Sequence, residues 1–162
     1  MENLIKDIQR EWLRVKSDAA RRCERAGQHE MAAKLAACQM FTGIETLPEL
    51  VDKMFSPQGR EFMTAFGFPD VETCRRFIPY HPEQYGVFID AREIAVNDPK
   101  RVWLIGNTSA RITCAKTQGN TIVVMHGATA DITAAGYSVV KIESDKRSNA
   151  NVTIADHAVV NR

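Results

Sequence analysis

The sequence predicts an α+β protein: an N-terminal α-helical region over residues 1–85, followed by a short right-handed parallel β-solenoid over residues 86–162. Three observations predict it. Up to about Ile78 the apolar residues recur at helical spacing. Beyond about Gly86 they alternate, and Val, Ile and Thr become common. The last third repeats itself every 20 residues: Ala110-Arg111-Ile112-Thr113 returns as Ala130-Asp131-Ile132-Thr133 and again as Ala150-Asn151-Val152-Thr153. An antiparallel sandwich would not require like residues at one fixed offset, whereas stacked coils do.

Ile5, Ile8, Trp12, Val15, Ala19 and Cys23 share one face of a helix from about residue 2 to 26, and Gly27 stops it. A second helix, from about His29 to Met40, would bury Met31, Ala32, Leu35, Ala36 and Cys38. The short link between them makes an antiparallel hairpin. Thr46-Leu47-Pro48-Glu49 has the layout of a capping box with Pro at the first helical position, opening a helix through Leu50, Val51 and Met54. Ser56-Pro57 opens another that carries Phe62, Met63 and Phe66 and ends at Gly67. Asp70 caps a third over Val71 to Phe77. Pro79 and Pro82 then bar further helix.

In the repeat, Val102, Ile122 and Ile142 line up, as do Val139 with Val159 and Ala115, Ala135 with Ala155. Strands in such a stack lie about 4.8 Å apart, so small identical side chains fill a narrow interior. Alternation places Ala110, Ile112, Cys114, Ile122 and Val124 inside. Arg111, Asp131 and Asn151 form an outward ladder. The repeat spans about three coils. The helical region is expected to cap the first of them.

Ala130-Asp131-Ile132-Thr133-Ala134 followed by Ala135-Gly136-Tyr137-Ser138-Val139 resembles two units of the pentapeptide-repeat family, whose pattern is A-[DN]-L-x-x. The resemblance covers about residues 100–162 and implies a four-faced coil. The chain departs from the family at Asn107, Gly127 and Arg147, where the family places Leu or Phe inside. With Phe55-Ser56-Pro57-Gln58-Gly59-Arg60-Glu61-Phe62, the whole chain also resembles bacterial and phage proteins to which no activity attaches.

Lys plus Arg total 21 and Asp plus Glu 20, a net charge of +1, which points neither to a nucleic-acid partner nor to an acidic mimic of DNA. The basic stretch Arg10 to Arg25 is interleaved with Glu11, Asp18 and Glu24 and reads as a solvated helix face. No apolar run reaches the roughly eighteen residues of a membrane span, and the first residues lack the layout of a signal peptide. The four cysteines, Cys23, Cys38, Cys74 and Cys114, form no C-x-x-C pair, so reduced thiols and a cytoplasmic location are expected.

His29-Glu30-Met31-Ala32-Ala33 begins like a zinc-protease helix but lacks the second histidine four residues on. Phosphate-binding glycine loops and the G-x-S-x-G elbow are missing. No metal, cofactor or catalytic set is therefore assigned. His126 at a corner, and His157 at the register of Tyr137, are surface candidates only.

The leading expectation is a non-enzymatic interaction or scaffold protein. The alternatives are a phage- or mobile-element-borne inhibitor of a host protein, and a small hydrolase or transferase using His126 or His157. A protein partner, not identified by the sequence, is expected, and a second copy of the chain is a further expected partner. The last repeat runs through Ile154 to Val159 and Val160, and its apolar interior and open strand edge would pair with another copy's as a homodimer.

Overall fold

The computed structural model describes residues 1–162, which form two compact units, Met1–Arg76 and Phe77–Arg162. None of the helices is long and apolar enough to cross a membrane.

The first unit is helical: α1 (Glu2–Arg25), α2 (His29–Ala37), α3 (Leu47–Met54), α4 (Pro57–Phe66) and α5 (Val71–Arg75). On α1 the periodic apolar face is buried through Leu4, Ile5, Ile8, Trp12 and Ala19. The helix stops where Gly27 takes a left-handed φ of 73°. The hairpin partner α2 is shorter than its sequence pattern suggests. It ends at Ala37 because Cys38 turns extended, and it buries only Ala32 and Leu35. Met31 and Ala36 are exposed and Cys38 is half-buried, which corrects the broader face expected of that helix. Lys16 accounts for the early stop: its ammonium donates to the carbonyls of Ala36 (3.2 Å) and Cys38 (2.8 Å), satisfying acceptors a helix end leaves free. The same ammonium lies 4.7 Å over the Trp12 ring.

Trp12 meets Phe41 edge-on at 5.6 Å and Phe62 at 6.4 Å, so the core of this unit is aromatic. The capping box forms at α3 as predicted, with Thr46 and Glu49 exchanging bonds. Ser56 Oγ accepts the Gly59 N–H at 3.0 Å and Asp70 Oδ1 that of Thr73 at 2.8 Å, capping α4 and α5. Gly59 is required by packing: a Cβ there would lie 2.1 Å from the Met54 carbonyl oxygen. At the end of the unit Arg76 bonds Asp7 (2.8 Å) and Glu11 (2.9 Å) of α1. α5 finishes at Arg75, earlier than the expected Phe77, because Pro79 disfavours helical backbone at Ile78.

The second unit opens with two 3-10 turns, Ile78–Tyr80 and Pro82–Tyr85. Nine strands follow: β1 (Val87–Ile89), β2 (Arg92–Asn97), β3 (Arg101–Ile105), β4 (Thr108–Cys114), β5 (Gly119–Met125), β6 (Thr129–Ala134), β7 (Val139–Ser144), β8 (Asn149–Ile154) and β9 (Val159–Asn161). Odd strands make one parallel sheet, β1-β3-β5-β7-β9, and even strands the other, β2-β4-β6-β8. This is the β-solenoid the repeat predicts, with Ala110, Ala130 and Ala150 in one column and Ile112, Ile132 and Val152 in the next.

Two features differ from expectation. The solenoid makes about four turns, not three. The extra turn precedes the repeat and escapes its period, because β2 pairs with β4 at an offset of 16 residues (Ile94 to Ala110) and later coils at 20 (Ala110 to Ala130). Each coil also has two broad sheets, not the four faces implied by the pentapeptide resemblance. Asn107, Gly127 and Arg147 lie between strands and are exposed. They break the family's apolar pattern because they are corner residues.

The interior is one continuous core running from Val102 and Leu104 through Ile112, Ile122 and Ile132 to Val140 and Ile142. Cys114 belongs to it. Burial, and secondarily the charge of Asp98, pushes its thiol up to about 11.

Candidate interaction surface

Interior side chains are sealed in the middle coils and half-open in the last. Ala130 and Ile132 are each 2% exposed, while Ala150 and Val152, one coil on, are only partly buried. Val140 is fully buried and Val160, its neighbour on β9, is not. Ile154 and Val159 stand 56% and 51% exposed. Among residues 1–162, β8 and β9 are the outer strands of their sheets, paired on one side only.

The chemistry of these two strands is unusual for an edge. Sheet edges are normally blunted by charge, proline or a bulge. β4 carries Arg111, β6 Asp131, and β7 Lys141 and Glu143, whereas Asn149–Ile154 and Val159–Asn161, like β1 and β5, carry no charge; the charges of the last coil, Asp145, Lys146, Arg147 and Asp156, stand at its corners. The outward residues Asn149, Asn151 and Thr153 are neutral, and Asn151 Nδ2 donates to Asp131 Oδ1 at 3.0 Å. The opposite end is different. There Phe88 and Ile94 share a small cavity of about 270 Å³ with Ile78 and Pro82, so the 3-10 turns lie against the first coil.

Aspartates clasp the corners. Asp98 Oδ1 accepts the N–H groups of Ala115 (2.7 Å) and Lys116 (3.0 Å) from the next coil. Those bonds hold its carboxyl below the usual range. Asp145 Oδ2 accepts the His126 N–H at 2.7 Å and its Oδ1 that of Arg147 at 3.1 Å. Burial works against ionisation of Asp145, but the bonds from Ser148, His126 and Arg147 outweigh it and lower its pKa. Asp156 Oδ2 accepts the Gly136 N–H at 3.1 Å. Sequence reasoning missed these clasps. The available signal was an Asp at a turn, where its short acceptor can bond nearby backbone and a left-handed φ is tolerated; Asp98 (47°) and Asp156 (57°) show both.

The three surface candidates separate into two places. His126 sits at a corner with φ 57°, its backbone held by Asp145. Tyr137 and His157 come together at the other corner, their rings stacked at 4.9 Å and 18°. Tyr137 is 64% exposed. The two histidines lie at opposite ends of the strands, roughly 20 Å apart along a six-residue strand. No three His, Cys, Asp or Glu side chains gather as a metal site requires. What the geometry supplies is an apolar-centred edge of two uncharged strands beside an aromatic corner. Against models of known families, curated proteins and solved structures, the chain finds no match.

Proposed function

We propose that this is a non-enzymatic interaction or scaffold protein that associates with a second copy through the last coil of its solenoid. The observation that carries the reading is the pairing of half-exposed interior residues, Val152 and Val160, with edge strands that bear no charge. A second copy suits this edge because the outward side chains of β8 and β9 are uncharged and can face another copy's strands without like-charge repulsion. The coil end measures about 10 Å between sheets by about 20 Å along β8, on the order of 200 Å² of cross-section. Even with its rims this falls below the roughly 1,200 Å² of a standard interface, so the association is weak and concentration-dependent.

Light scattering across a concentration series tests it. The expected result is a mass that rises from one chain towards two. Ile154→Lys and Val159→Lys, both at exposed positions, should hold the protein monomeric with an unchanged circular dichroism spectrum. A single-chain mass at every concentration, or dimers that persist in both variants, would overturn the reading.

A further inference from the structure

The coil's own geometry fixes how two copies can meet, given the self-association proposed above. A two-sheet coil runs out along one sheet and back along the other, climbing one strand spacing, about 4.8 Å, per turn. Its last two strands therefore end half a step apart, with β9 beyond β8.

Three arrangements can be compared. In a head-to-tail stack, β8 and β9 would pair with β2 and β1 of the next copy. That end is obstructed, since the turn Pro82–Tyr85 packs against β1 and β2 carries Arg92 and Glu93. In a two-fold normal to the sheets, β8 meets β8 and β9 meets β9. The half-step then counts twice, so one sheet joins while the other is a full spacing out of place. In a two-fold parallel to the strands, β8 of each copy meets β9 of the other. Both gaps are then equal, and both junctions are antiparallel.

The side chains agree with the third arrangement. Setting Val152 opposite Val160 places Ile154 opposite Ala158 inside and Thr153 opposite Val159 outside. The two large exposed apolar side chains of the last coil, Ile154 and Val159, thereby both gain neighbours.

We propose that two copies join tail to tail about a two-fold axis parallel to the strands, β8 of each pairing antiparallel with β9 of the other. The five- and four-stranded sheets then fuse into two sheets of nine strands each. The axis passes through the corner Ala155–Ala158, so His157 meets its own copy there. The corner at Arg147 lies deeper in each coil, a further strand spacing from its copy. With the axis normal to the sheets, His157 would face Arg147 instead.

Cysteine cross-linking separates these cases, because a disulfide forms only when the Cα atoms approach within about 7 Å. In a background of Cys23→Ser and Cys38→Ser, His157→Cys should cross-link to a dimer under mild oxidation about tenfold faster than Arg147→Cys. The double variant Thr153→Cys/Val159→Cys should cross-link to a dimer while neither single variant does. Cross-linking of His157→Cys only when mixed with Arg147→Cys, or a ladder of larger species, would overturn the proposed axis and leave self-association standing. A parent chain that stays monomeric by light scattering would remove both.

Discussion

Glu45 gives the sharpest test of the helical unit. Its side chain is 2% exposed and carries a full set of donors. They are the Thr42 N–H (2.6 Å) and hydroxyl (2.9 Å), the Gly43 N–H (2.9 Å) and the Lys53 ammonium (2.9 Å). Burial alone would raise its pKa, but the bonds from Thr42 and Lys53 reverse that and lower it to about 2. Held near 2 and not at the ordinary 4.5, the carboxylate contributes on the order of 3 kcal/mol of stability, at about 1.4 kcal/mol for each tenfold change in proton affinity. A carboxyl depressed on folding contributes fully above its unfolded pKa. Its contribution is lost as pH falls from about 4.5 to about 2. Glu45→Gln keeps the shape, removes the charge and turns an amide NH₂ towards one of the donors. Urea unfolding followed by helical circular dichroism should show the variant destabilised by about 2–3 kcal/mol at pH 7, with the difference shrinking towards zero near pH 2.5. The difference between the two proteins cancels the titration of Asp98 and Asp145. A variant within about 0.5 kcal/mol of the parent at pH 7, or a difference indifferent to pH, would refute the reasoning.

Two further predictions concern the solenoid. Gly136→Ala should cost about 1–2 kcal/mol in urea unfolding, because φ is 61° and the new Cβ would lie 2.9 Å from the Ala115 carbonyl oxygen. Gly119→Ala, with ordinary φ and open space around it, should be neutral or slightly stabilising. Cys114, fully buried with its thiol pushed up to about 11, should resist alkylation at pH 8 until the chain is unfolded, while half-buried Cys23 and Cys38 react first. Cys114 modified as fast as Cys23 in the native protein would contradict its place in the core.

Much of this fold was legible because its interior repeats its own residues. Stacked strands place like atoms over like, so the columns through Ala110 and Ile112 wrote a period into the chain. The first coil wrote none: a 16-residue offset moves Ile94 and Val96 out of phase with their own columns. A period of 20 also fits four segments of five or two of ten. What decides is uninterrupted alternation over six or seven residues, as in Thr108–Cys114, which is longer than a five-residue face allows. In the helical unit, periodicity found α2 but overran it, since the Lys16 bonds that end it come from another helix and leave no local trace. The corner clasps were hidden for a similar reason. Asp98 reaches forward to the next coil while Asp145 and Asp156 reach back, so they share no repeat position.

The proposed self-association draws on the last coil of the repeat and on no separate motif. Inside, Ala150 and Val152 continue the columns begun at Ala110 and Ile112. Outside, the ladder Arg111–Asp131 ends in neutral Asn151. Strands at an open edge are normally blunted by charge, because an exposed row of N–H and C=O groups recruits other strands. β8 and β9 carry none, and the charges of this coil, Asp145, Lys146, Arg147 and Asp156, stand at its corners. The half-exposed Val152 and Val160 supply apolar surface, the open ladders supply direction, and neutral side chains remove repulsion between like copies. Each element is weak alone, and a coil end of this size makes only a modest interface. Their coincidence on β8 and β9 is what singles out this end of the solenoid. Restoring one charge there, as in Val159→Lys, should therefore abolish association while leaving the Ile112–Ile132 core and the fold unchanged.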